Sequence, residues 1–130
     1  MNRHEELFAR CFITPPKRAR YAALLATEKG RTKALNALHH MHDLDNRYAR
    51  LLTSDEDTAA EILRMLREHG APAMCYVISA DREIDGRELP LDAAIDRIHC
   101  TNFGTVISCI PGKLAYLETE DIKFRYILRR

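Results

Sequence analysis

Three of the six histidines fall in one short segment, His39-His40-Met41-His42, directly before Asp43-Leu44-Asp45. On a helix His39 and His42 stand three apart and His39 and Asp43 four apart. Two imidazoles and a carboxylate would then share a face, as a chelate for zinc or another transition metal requires. The order is not the H-E-x-x-H of a zinc hydrolase, and no cysteine lies alongside. The plainer reading is a polar helix end whose imidazoles face the negative pole of the helix dipole. No cofactor is expected, with a transition metal on His39, His42 and Asp43 as the one exception that the spacing offers.

A second set of chemically able residues is acidic. Asp81, Glu83, Asp85 and Glu88 crowd around Gly86. Asp81 to Asp92 approaches the span of a calcium-binding loop, yet the last position holds Asp instead of Glu, Pro90 falls inside, and a strand pattern precedes it. Asp85-Gly86 reads as a turn. An acidic loop leaving a strand ahead of a helix is nonetheless where α/β sheets often place binding groups.

The four cysteines, Cys11, Cys75, Cys100 and Cys109, are widely spaced and form no C-x-x-C pair, so reduced, structural thiols are expected. His99-Cys100 sets an imidazole beside a thiol, but at the predicted C-terminal end of a helix, which does not favour a thiolate. Asp81, Asp85, His99 and Cys109 are the set from which an enzyme or small-ligand site at the strand ends would be assembled. No G-x-S-x-G, kinase or papain-like signature supports catalysis, and a non-enzymatic protein is the first expectation.

Charge is unevenly distributed although the net charge is only +1. Residues 1–52 carry +5, residues 53–101 carry −6 and the remainder +2. Lys17, Arg18 and Arg20 form one dense basic cluster; Lys29, Arg31 and Lys33 form another. Gathered on one face, they would contact phosphates, but no aromatic interleaving, helix-turn-helix or zinc-finger spacing accompanies them. The glycines stand singly, so no loop cradles a phosphate. The expected contact residues are the acids Asp81, Glu83, Asp85 and Glu88 and the bases Lys17, Arg18, Arg20, Arg31 and Lys33. Another protein is the first partner expected and nucleic acid the second, and the basic half could equally pair with the acidic half of a second copy or of the same molecule.

The elements that must position these groups follow from periodicity. Leu7, Phe8, Cys11 and Phe12 predict a helix over residues 2–12; Thr14-Pro15-Pro16 ends it and starts another carrying Tyr21, Leu24 and Leu25. A third begins near Thr32, and Tyr48, Leu51 and Leu52 suggest one or two further turns. Ala59, Ile62, Leu63 and Leu66 mark a helix over 55–69, stopped at Gly70 and Pro72. The period then changes: 74–79 and 105–110 are short apolar runs typical of buried strands, with a helix starting at Pro90 between them. Residues 114–118 and 123–128 complete the sheet.

The predicted fold is therefore α+β, with four or five N-terminal helices packed on a small mixed sheet of order β-α-β-β-β. It is one domain over 1–130, with a helical half at 1–72 and a sheet half at 73–130. The 130-residue length and 46% hydrophobic content suit one core, and a charged N-terminus without a long apolar run predicts a cytoplasmic protein with no membrane partner.

Overall fold

The computed structural model describes residues 2–38, 43–101, 103–121 and 124–130. It opens with α1 (Arg3–Phe12), whose first turn is capped by Asn2 Oδ1 accepting the His4 amide at 2.7 Å. A 3-10 turn at Pro15–Lys17 leads into α2 (Arg18–Leu25), and α3 (Glu28–Leu38) follows. After β1 (Ala49–Leu51), Thr58 caps α4 (Ala59–Glu68). The remaining elements are β2 (Met74–Ser79), β3 (Glu88–Pro90), α5 (Leu91–Ile98), β4 (Thr105–Ile110), β5 (Leu114–Glu118) and β6 (Arg125–Arg129). This is an α+β fold with its helices concentrated at the N-terminal end.

The strands lie in the order β1-β6-β5-β4-β2-β3, and every neighbouring pair is antiparallel. The strand–helix–strand order predicts a mixed sheet; the short strand β3 is the reason that it is not one. β3 turns the chain back along β2 before α5 begins, so α5 returns it to the starting end and β4 descends antiparallel on the other side of β2. β3 and β4 thus run parallel to each other with β2 between them. Pro90 ends β3 and caps α5 instead of opening its first turn. The further helical turns expected around Tyr48 and Leu51 are absent: Ala49–Leu51 pairs with Tyr126–Leu128 as an edge strand. The helical and sheet halves therefore interlock, since β1 comes from the first and closes the sheet of the second.

Alternation along the strands sends apolar side chains to both faces. Tyr76, Ile78, Val106, Leu117 and Leu128 meet Phe8, Phe12, Tyr21, Leu25 and Leu35 from α1, α2 and α3. Val77, Ile107, Cys109, Tyr116 and Ile127 meet Ile62, Leu66, Leu91, Ile95 and Ile98 from α4 and α5. Three layers result, helices covering each face of the sheet. No helix among the described residues is long and apolar enough to cross a membrane.

Candidate functional site

The two expected contact regions, acidic loop and basic helices, meet at the junction of α3 with the turn after β2. Gly86, at φ 74°, lets that turn close, and its amide donates to Val77 O at 2.8 Å. Asp85 is thereby presented to Arg31 of α3, which grips it with two prongs: Nη2 to Oδ1 at 2.7 Å and Nε to Oδ2 at 2.9 Å. Arg31 Nη1 also donates to Glu5 of α1, a carboxylate only 4% exposed that accepts from Tyr76 Oη at 2.7 Å as well. The Asp85 and Glu5 hydrogen bonds raise the Arg31 pKa above its ordinary value against the opposing effect of burial. Burial, reinforced by Glu5, pushes Tyr76 up to about 12.

Two of the other loop acids are also engaged. Arg97 of α5 reaches Asp81 at 3.2 Å and Glu83 at 2.6 Å, while Glu88 opens β3 with its side chain exposed. Asp81 and Glu83 tie the turn to α5 as Asp85 ties it to α3, a role that spacing alone does not announce.

The basic residues divide in the same way. Lys17 Nζ lies 2.5 Å from Asp43 Oδ1, and Tyr21 Oη donates to Asp43 Oδ2. Arg18 donates to Ile13 O at 2.9 Å and reaches Asp45, which Arg47 also grips at 2.7 Å. Lys17, Arg18 and Arg31 therefore hold the helices together, whereas Arg20 and Lys33 face solvent. Asp43 is buried in this knot; His39 and His42 lie outside the described residues. Among the described residues no group of three or more His, Cys, Asp or Glu side chains is placed to hold a metal ion.

Beside the Arg31–Asp85 pair runs an open groove of about 620 Å³, lined by Glu28, Lys29, Thr32, Lys33 and Asn36 of α3 and by Arg82 of the turn. The helix contributes one stripe at i, i+1, i+4, i+5 and i+8. Lys29, Lys33 and Arg82 are exposed and make no ion pair among the described residues. Arg82 escapes sequence reasoning because it sits inside an acidic loop and has no basic neighbour in the chain.

Asp81, Asp85, His99 and Cys109 do not assemble. Asp85 belongs to the Arg31 knot and Asp81 to Arg97; Cys109 is buried in the core under α4 and α5. His99 joins a different set, with Nε2 2.9 Å from Asp57 Oδ1. Arg125 Nη1 donates to the other oxygen of Asp57, and its Nε donates to Glu118 Oε1 at 3.1 Å. Glu118 is fully buried, accepts from Tyr116 Oη at 2.9 Å, and leaves Oε2 without a hydrogen-bond partner among the described residues. Burial raises its pKa, opposed by Tyr116 and Arg125.

Comparison with models of known protein families, with curated proteins and with solved structures finds no match to this chain.

Proposed function

We propose that the protein is a non-enzymatic binding protein that seats an acidic segment of another protein in the groove between α3 and Arg82. One observation carries this reading: three cations without an ion pair among the described residues, Lys29, Lys33 and Arg82, line one open concavity against a single carboxylate, Glu28. Lys29 and Lys33 stand at i, i+4, where like charges repel by about 0.2–0.5 kcal/mol on an isolated helix, and a bound carboxylate would relieve that repulsion. Thr32 and Asn36 lie on the same stripe and supply hydrogen-bonding groups for a peptide backbone.

A short acidic segment fits this chemistry better than a nucleic acid. Of the ten Lys and Arg residues in positions 1–52, Arg10, Lys17, Arg18, Arg31, Arg47 and Arg50 are paired to carboxylates of the same chain. Those pairs remove most of the basic footprint that a phosphate backbone requires.

The test is fluorescence anisotropy at low salt, with a short labelled peptide of alternating glutamate and alanine and a single-stranded oligonucleotide of equal charge. The peptide is expected to bind, with affinity falling about tenfold for Lys33→Glu and again for Arg82→Glu, while the melting temperature stays unchanged. Absence of peptide binding, or tighter binding of the oligonucleotide, overturns the reading.

A further inference from the structure

The turn that carries Arg82 joins β2 to β3 at one edge of the sheet; β1 forms the other edge. Leu52 N donates to Arg125 O and Arg129 N to Tyr48 O, both at 2.9 Å. Because hydrogen-bonded and non-hydrogen-bonded pairs alternate along an antiparallel ladder, Arg50 and Ile127 form the hydrogen-bonded pair between these two. The amides and carbonyls of Ala49 and Leu51 therefore point away from β6, along the open edge. They make no backbone hydrogen bond among the described residues. The open stretch ends where Glu56 Oε1 accepts from the Thr53 amide at 3.0 Å.

The two faces of this edge differ. Ala49 and Leu51 lie opposite Leu128 and Tyr126, on the face covered by α1, α2 and α3. Leu51 is 46% exposed there, an apolar surface that one more strand would cover. On the other face Arg50 lies opposite Ile127 and reaches Met65 Sδ of α4. Beside it is a cavity of about 280 Å³ whose lining includes Arg47, Arg50, His69 and Arg129. Asp45 and Glu56 hold Arg47 and Arg50, whereas Arg129 and Arg130 make no ion pair among the described residues. Arg130 Cζ stands 4.6 Å from the centre of the Tyr48 ring, at the start of the same edge. Open backbone, an uncovered apolar side chain and surplus positive charge thus coincide along β1.

We propose that β1 is a docking edge for an extended segment of a partner protein, one that alternates acidic and apolar residues and adds to the sheet as a further strand. The backbone groups of Ala49 and Leu51 supply the hydrogen bonds, and side-chain alternation supplies the selectivity: apolar residues cover Leu51, while carboxylates meet Arg129 and the arginine-lined cavity. A second copy fits this edge less well, because pairing β1 with β1 brings the same arginines together, and like charges on facing strands repel. A nucleic acid has no amide–carbonyl ladder to match the edge and no alternating apolar side chain for Leu51. The surface is separate from the α3 groove, which adjoins the β2–β3 turn, and does not depend on it.

The experiment titrates a short, end-blocked, labelled peptide of alternating glutamate and valine with the full chain, read by fluorescence anisotropy at low salt. The peptide is expected to bind, with affinity falling at least about tenfold for Arg129→Glu and for Leu51→Asp, both at exposed positions. Leu51→Pro removes an outward amide without touching the ladder to β6 and is expected to abolish binding; circular dichroism checks its fold, and Leu51→Asp carries the test if the proline variant does not fold. Methylating alternate peptide amides reads strand addition directly. One set faces β1, and its methylation is expected to abolish binding; the other set faces solvent and tolerates it. Absence of binding, or equal loss from both methylated sets, overturns the proposal. So does binding that Lys33→Glu abolishes and Arg129→Glu leaves intact, which would seat the peptide in the α3 groove instead. Tighter binding of a single-stranded oligonucleotide of equal charge overturns it as well, as does self-association of the chain that Leu51→Asp abolishes.

Discussion

Arg31 and Asp85, separated by 54 positions in the chain, meet in a two-pronged ion pair that fixes α3 to the turn after β2. The same guanidinium reaches Glu5 of α1, so one side chain joins two helices to the turn after β2 that carries Arg82 into the groove. Its side chain is 14% exposed and that of Glu5 is 5% exposed, which places the interaction in the low-dielectric interior, where single removal is costly.

Arg31→Met is therefore expected to lower unfolding free energy by about 3–5 kcal/mol, because Glu5 is left buried without its counter-charge. The urea midpoint at constant m-value reads this directly. Adding Glu5→Gln should recover part of the loss, since the amide needs no cation and still accepts from Tyr76. A loss below about 1 kcal/mol for the single variant would place the pair among ordinary surface ion pairs and defeat the argument.

Gly30 lies inside α3, where glycine is about 1 kcal/mol worse than alanine by propensity. The fold reverses that expectation. A Cβ at this position would stand 2.9 Å from the Leu24 carbonyl carbon and 2.7 Å from Thr27 Oγ1, at the tight passage from α2 into α3. The Leu24 contact is backbone and cannot swing aside. Gly30→Ala should destabilise by about 2–3 kcal/mol, as overpacking of a close helix junction does. Thermal unfolding decides it: an equal or higher melting temperature for the variant contradicts the close approach.

The helical stripe Ala59, Ile62, Leu63 and Leu66 and the apolar runs at 74–79 and 105–110 were legible because their periods are long enough to distinguish a helix from a strand. β1 and β3 were not. Each spans three residues, too few for a period, and each exists because a longer strand offers it an edge: Tyr126–Leu128 for β1, Met74–Tyr76 for β3. Missing β3 also inverts the direction of β4, which is why the sheet is antiparallel where a mixed one is expected. The acidic loop is legible as a link between strand and helix, yet the partners of its carboxylates are not, since Arg31 and Arg97 reach them from helices distant in sequence or across a turn. The Asp57–Arg125 contact is hidden for the same reason, because local sequence carries no record of long-range ion pairs, and Arg82 is hidden because its basic partners in the groove, Lys29 and Lys33, come from a distant helix.

His4 gives the fold a pH dependence whose sign is fixed by its surroundings. Its ring stacks on Tyr76 with centroids 5.3 Å apart, and Nδ1 lies 2.7 Å from Ser108 Oγ, docking the start of α1 on the sheet. Burial lowers its pKa below 6.5, with Glu88 and Glu5 opposing the shift. The unfolded chain then binds the proton more readily than the folded one. The neutral imidazole contributes its full stability above pH 6.5, and that contribution declines as the pH falls from 6.5 toward the folded-state value. Below both values no further change comes from this group. Urea midpoints measured from about pH 7.5 to about pH 5 should fall for the parent chain, and His4→Phe, which keeps a ring on Tyr76 without a titrating nitrogen, should flatten the slope. Titration of the His4 ring resonance by NMR supplies the independent check: a midpoint at or above 6.5, or an unaltered slope in His4→Phe, would remove this residue as the source.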